Sequence, residues 1–377
     1  MIEASPDALT LTAPGLSIRP ARFSDYERIS RLERTFCFKP TPYADWEMLW
    51  VASPLWRRLG AHWPIGWVLE SSTGEIVGSM GNIPLLYHFR GEELIAASGR
   101  GWGVVPQFRA FALWLLEERF DQKNVDLFID TSINSNSLDA FETFSNRVPA
   151  GDWEVSPYCV VDYHKFAARA SQKLHVPLAP ALRTPAAAAL RLGDALFFKK
   201  RKGAPALDIA MVERFDSRFD AFWDELRRQN SEMLLAARDA ATLSWHFSIP
   251  IRRRRIWVFT ASHKQQLRAY CILKRQDDGS GLPRMRLIDY QAIDSDGDLL
   301  PVLLQAALAK CASEGICILD KPGAGLRKTR AFDAVAPYRQ RQNWPAFYRA
   351  TNDTLAQALR DERVWDISEY DGDASIE

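Results

Sequence analysis

One order of elements, met twice along the chain, constrains this sequence more than any single motif does. From residue 16 the chain reads as a strand, LSIRPAR, and then a helix opening at a capping box, Ser24-Asp25-Tyr26-Glu27, with Ile29, Leu32 and Phe36 on one face. After an aromatic-rich segment, GWVLE, IVGSMGNIPLLYHF and LIAASGRGWGVV are joined by the reversals SSTGE and RGEE, the pattern of an antiparallel meander. Pro84, inside the second of these strands, points to an edge or a bulge. A helix near 108–121, a strand at 125–132, a helix near 136–145 and a closing strand at 158–164 complete the first half. The second half runs through DIAMVERF, the helices FDAFWDELRRQ and ATLSWHF, and a meander of RIWVFTAS, LRAYCILKR and RMRLIDYQAI. A helix at 299–313, the strand ICILDK and final strands ending at WPAFYRA and VWDISEY follow. Residue identity between the halves is slight, so the pattern alone carries the duplication. The expected fold class is α/β (α+β), with two tandem domains, each a mixed, mostly antiparallel sheet flanked by helices. The domains are expected at 1–165 and 206–377, with a helix-bearing linker at 166–205.

Length supports the division, because 377 residues exceed what one ordinary core encloses. A formal net charge of +1 gives no overall pull toward nucleic acid, and none is expected as a partner. Cys37, Cys159, Cys271, Cys311 and Cys317 are scattered, odd in number and outside any metal-ligand spacing, so neither a disulfide framework nor a metal site is expected. The opening MIEASPDALT lacks the basic and apolar regions of a secretory signal, and no transmembrane run is present. The expected location is the cytoplasm. Residues 186–202 combine Leu190, Leu192, Leu196 and Phe197 with a KKRK tail. That composition suits an inter-domain helix docked by its apolar side, and it also permits weak contact with an anionic membrane surface.

The most informative stretch is Val104-Val105-Pro106-Gln107-Phe108-Arg109-Ala110-Phe111-Ala112-Leu113-Trp114, where a strand feeds a helix through a tight turn. A helix start offers unpaired N–H groups and about half a positive charge to a phosphate. The stretch resembles the fourth-strand motif of the GCN5-related N-acetyltransferase (GNAT) family, in which V-x-P leads to R-G-x-G-x-G/A around the coenzyme A pyrophosphate. The valines, Pro106 and Arg109 match, whereas Ala110 and Ala112 stand at two glycine positions and Trp114 at a third small position. IRPA near the start and Asn134 or Asn136 after the fifth strand are also family-like. The likeness covers 16–165 well and 205–370 loosely, in a tandem arrangement also similar to Fem-type aminoacyl transferases.

The resemblance implies an acyl-CoA-dependent N-acyltransferase, with acetyl-CoA or another acyl-CoA as co-substrate and a small-molecule or glycan amine as acceptor. Carried over by position, the coenzyme A contacts are Val104, Val105, Phe108, Arg109, Ala110, Phe111, Ala112, Leu113, Asn134 and Asn136. The family's splayed fourth and fifth strands make the N–H groups near Val104 and Val105 the donors for the thioester carbonyl. Asp130, at the end of the fifth strand, is the candidate base, with a strand-end cap or ion pair as its plainer role. The family's thiolate acid, a tyrosine seven residues after the asparagine, has no counterpart: the count from Asn134 reaches Phe141 and from Asn136 reaches Thr143.

Elsewhere the chemistry is thinner. Asp289 lies on a second-half strand, and His88 and His164 fall on expected strands, where packing is the commoner role. Arg252-Arg253-Arg254-Arg255 reads as a solvated run or an anion contact. In the second half, Asp294, Asp296 and Asp298 would repel a pyrophosphate, which marks that half as one without cofactor binding. The alternatives to an acyl-CoA enzyme are a Fem-like aminoacyl transferase and a non-catalytic binding scaffold.

Overall fold

A computed structural model describes residues 12–376 apart from 14, 37, 152, 174–183, 186, 189–206, 278–280, 294–298, 324–331, 333–335 and 343. Most of the 186–202 segment and the acidic residues Asp294, Asp296 and Asp298 therefore lie outside the described residues.

The strands of the first half are β1 (Thr12–Ala13), β2 (Leu16–Pro20), β3 (Gly66–Ser71), β4 (Ile76–Phe89), β5 (Glu92–Val104), β6 (Leu127–Asp130), β7 (Asn146–Arg147) and β8 (Val155–Val160). The second half adds β9 (Asp208–Val212), β10 (Leu235–Ala236), β11 (Ile256–His263), β12 (Gln266–Arg275), β13 (Arg284–Ala292), β14 (Ile318–Asp320), β15 (Tyr338–Arg341) and β16 (Phe347–Ala350). They build two sheets, ordered β1-β2-β3-β4-β5-β6-β16-β7, with β10 along β4, and β15-β8-β14-β13-β12-β11-β9. Every pairing is antiparallel except β5 with β6 and β13 with β14. Both sheets are therefore mixed and mostly antiparallel, and the two meanders stand where the sequence places them.

The sheets do not close within their own halves. The strand β8, read as the closing strand of the first half, pairs with β14 and β15 in the second sheet. In return β16 inserts between β6 and β7 of the first. Each half thus lends its late strand to the other. Apolar patterning identifies a buried strand and its faces, but it does not name the neighbour.

Helices cover the sheets by their apolar faces. The helix Ala112–Phe120 buries Leu115 and Leu116 completely, and Leu299–Ser313 buries Leu300, Leu303, Leu304 and Ala307. Trp50 and Trp63 sink their rings into the first core and donate both indole N–H groups to the Asn82 carbonyl, at 2.8 and 3.0 Å.

Pro84 sits where β4 has a neighbour on one side only. It pairs with Ala97 of β5, while β3 ends opposite Gly81 and β10 begins opposite Tyr87. On that open side Asn82 donates to Ile65 O and Leu86 accepts from Ala237. The missing N–H of Pro84 falls in the gap between them, so β4 is an edge at that point.

Three local readings change. The capping contact at the first helix runs from Arg22 N–H to the Asp25 carboxylate (2.9 Å), not through Ser24, because a 3₁₀ turn at Phe23–Asp25 precedes the helix Tyr26–Thr35. His164 lies in the helix Tyr163–Lys173 rather than on a strand. The VWDISEY stretch forms 3₁₀ turns at Glu362–Val364 and Glu369–Asp371, with one bridge from Trp365 to Leu234. Its apolar residues are buried by tertiary packing rather than by a ladder.

Candidate active site

The parallel pair β5–β6 holds for only two residue pairs, Ala96 with Leu127 and Ala97 with Phe128, and then the strands part. Two features keep them apart. On β5 one extra residue enters between the pairs Gly81–Arg100 and Ser79–Gly103, a bulge with Gly101 in the left-handed region at φ 63°. Between the strands lie Arg119 and Asp130. The wholly buried guanidinium donates Nη1 to Asp130 Oδ2 and Nη2 to Ala97 O, both at 2.8 Å, while Asp130 Oδ1 accepts Gly99 N–H at 2.7 Å. Gly99 admits this because it has no side chain: a Cβ there would come within 2.9 Å of Asp130 Oδ1 and 2.7 Å of Met80 Cε.

The parting opens a cleft of about 350 Å³ lined by Gly99, Arg100, Gly101 and Trp102 from β5, and by Asp130, Ser132, Ile133 and Asn134 from the end of β6 and beyond. Glu33, Lys39 and Phe141 close its sides, and Asp373 and Ala374 reach in from the far end of the chain. Glu33 pairs with Arg100 at 3.4 Å, and Arg100 also donates to Thr41 Oγ1 at 3.2 Å. Val105 donates its N–H to Val77 O (2.9 Å), so by the alternation of a strand the N–H of Val104 points the other way, into the split. A second cavity, of about 260 Å³, lies at the Pro84 gap between β4, Leu55, Trp245 and Tyr370, and is mostly apolar.

No protein-family model and no curated protein matches the sequence. Solved structures do match by shape. Saccharomyces cerevisiae N-myristoyltransferase with bound myristoyl-CoA superposes over 92% of this chain and 82% of its own, at TM-score 0.55 and 12% identity. A GCN5-related N-acetyltransferase from Anabaena variabilis ATCC 29413 superposes over 89% and 73%, at TM-score 0.53 and 10% identity. A conserved protein of unknown function from Enterococcus faecalis V583, described as a probable N-acyltransferase, does so over 89% and 72%, at TM-score 0.54 and 10% identity. The chain has a tandem GNAT fold.

In this GNAT frame the residues expected from sequence fall into three groups. Asp130 and Asn134 line the cleft, and the two Asp130 oxygens accept from Gly99 N–H and Arg119. Asn134 uses its side-chain oxygen to accept Asn136 N–H (2.9 Å), which shapes the turn before the helix Leu138–Phe144, and Asn136 is exposed. Phe141, the residue the count from Asn134 reaches, packs edge-on against Trp102 in the cleft wall and offers no hydroxyl.

The third group is the turn. Pro106–Phe111 is a 3₁₀ helix leading into Ala112–Phe120. Its N–H groups turn back three residues, as Phe108 does to Val105 O and Ala112 to Arg109 O. Val104 is buried, Val105, Phe108, Phe111 and Ala112 pack partly against the core, and Arg109, Ala110 and Leu113 are exposed. Trp114 rests edge-on against Phe111, with ring centroids 5.0 Å apart.

The second half repeats the bulge, and among the described residues its strand is covered. The strand β13 also carries one extra residue, between the pairs Leu273–Leu287 and Ile272–Asp289, just past its parallel pairing with β14. There the segment 366–371 covers the strand: Gln291 donates to Asp366 (2.6 Å), Ser368 Oγ to Asp289 (3.1 Å) and Arg286 to Glu369 (3.2 Å). Asp289 is thus structural, held also by the fully buried Arg238 at 2.8 Å. Arg252 and Arg253 both bind Asp45 of the helix Tyr43–Val51, while His88 is buried against Trp223.

Sequence reading missed the Gly101 bulge, Arg119 and Asp373. The alternation Gly99, Gly101, Gly103 within a strand is a signal for the first. Nothing local marks the other two, which matter through distant contacts.

Proposed function

We propose that the chain transfers an acyl group from a coenzyme A thioester to an amine, in the split between β5 and β6. The observation that carries this is the open split itself, with the Val104 N–H directed into it beside a bulge that holds the strands apart. A thioester lying along β5 would place its carbonyl oxygen on that N–H, which strengthens its grip as negative charge develops. Val105 is unsuited to this role, because its N–H is already given to Val77. The exposed Arg109 suits a phosphate of coenzyme A, and the 3₁₀ turn must open by one or two bonds before its N–H groups can reach the pyrophosphate.

Binding of myristoyl-CoA by the yeast enzyme of like fold supports an acyl-CoA as co-substrate, and acetyl-CoA is the shortest candidate. The acceptor is an amine on a small molecule or glycan. Among the described residues no helix is long and apolar enough to cross a membrane. Thermal shift with free, acetyl- and myristoyl-coenzyme A tests the reading. Stabilisation of wild type that Arg109→Glu largely removes supports it. No shift with any of them at millimolar concentration leaves the scaffold reading in its place.

A further inference from the structure

We propose that Asp373 is the general base that prepares the acceptor amine, supplied to the first-half cleft by a segment lying beyond all the second-half strands. The inference rests on the acyl-transfer reading above.

Three carboxylates line the cleft: Glu33, Asp130 and Asp373. Asp130 is committed to Arg119 and Gly99, and its removal from them would collapse the support of the split. Glu33 is drawn to Arg100 on the far side. Asp373 is half-buried at the cleft wall and accepts the Ser132 hydroxyl at 2.8 Å, two residues beyond the end of β6. That puts it across the opening from β5, the strand whose Val104 N–H would hold the thioester carbonyl. An amine entering between the two would have its proton facing one wall and its target carbon facing the other.

The segment is fixed on both sides of Asp373. Gly372 is pressed so closely onto Thr131 that a Cβ would fall 1.9 Å from the threonine Oγ1, and only glycine tolerates that approach. Before it, Asp371 accepts Ser368 N–H at 2.7 Å and the Tyr87 hydroxyl at 3.1 Å. After it, Lys274 donates to the carbonyls of Ala374 and Ser375, both at 3.2 Å, and His246 Nε2 lies 2.6 Å from Ser375 Oγ. A base positioned this firmly costs little reorganisation when it acts.

In the step, the ammonium of the acceptor gives one proton to the Asp373 carboxylate. Its freed lone pair attacks the thioester carbon, the C–N bond forms, and the C–S bond breaks. The second proton lost from nitrogen ends on the departing sulfur, giving an amide and coenzyme A thiol, and Asp373 returns its proton to water.

The full chain, Asp373→Asn and Asp373→Glu are compared by coenzyme A release from acetyl-CoA and myristoyl-CoA. The two nucleophiles are ethanolamine, an ammonium at neutral pH, and hydroxylamine, which is uncharged there and needs no base. The asparagine variant should lose about 10²-fold or more in kcat/KM with ethanolamine, lose the acid limb of its pH profile, and stay within about threefold of wild type with hydroxylamine. The glutamate variant should recover part of the loss. Equal losses with both nucleophiles, or no loss with either, overturn the assignment. So does a wild-type protein that binds acyl-CoA yet never uses ethanolamine. Absence of acyl-CoA binding fails the acyl-transfer reading itself, and the thermal shift separates the two failures.

Discussion

Arg119 and Asp130 lie between β5 and β6 as a wedge, with Nη1 2.8 Å from Oδ2 and the guanidinium 5.2 Å from the centre of the Phe128 ring. Both residues are buried, so each is costly without the other.

Arg119→Met or Asp130→Asn alone should therefore lower stability by about 3–5 kcal/mol, because a buried charge loses its partner. The double change to Met and Leu should recover a large part, as measured by urea unfolding. Asp130→Asn should leave the pH profile of the remaining activity unmoved, which separates a holding residue from a base.

The bulge offers a gentler perturbation. Gly101→Ala forces a side chain into the left-handed region, at a cost of about 1–2 kcal/mol. Its Cβ also comes 3.3 Å from Glu33 Oε1 in the cleft wall. Acyl-CoA affinity should fall more than urea stability does, since the bulge sets the opening of the split. A variant with wild-type affinity would show that the bulge is dispensable.

His246 should make the protein acid-sensitive. Burial, with Lys274 nearby, lowers its pKa from the usual 6.5 to about 3. In the unfolded chain it takes up a proton near pH 6.5, while the folded chain refuses it until about pH 3. Stability is thus complete above that upper value and declines as pH falls through the window, by up to about 1.4 kcal/mol per pH unit. Glu369 acts with the opposite sign, its carboxyl pushed up by burial to about 7. The comparison of wild type with His246→Gln cancels that term. The variant should show a flatter loss of stability between pH 6.5 and 4 in urea titrations.

The exchange of β8 and β16 makes the halves interdependent. Residues 1–165 produced alone would lack the strand between β6 and β7, and the second half alone would lack the one between β14 and β15. Each should be insoluble or unfolded, while co-expression should give a soluble pair. Two independently folded halves would contradict the exchange.

These points show what the residues disclosed and what they withheld. The meanders were legible because three strands with Gly and Ser reversals are local signals, and Pro84 marked a true gap. The strand exchange was not, since LFID and FYRA are apolar enough to pair with many neighbours. In the candidate site, the strand-turn-helix pattern pointed to Val104, and Asn134 lines the cleft. The closed 3₁₀ turn was hidden, because alanine is compatible with both an open and a tightly wound backbone. Asp373 gave no sequence signal at all: its place depends on Gly372 meeting Thr131, more than 200 residues earlier.

Isothermal titration with acetyl-CoA and myristoyl-CoA tests the central claim most directly, because it counts sites. One site per chain is expected, weakened by Arg109→Glu, since the first split is open and the second is covered by residues 366–371. Two sites per chain, or no heat of binding at millimolar concentration, would contradict the account.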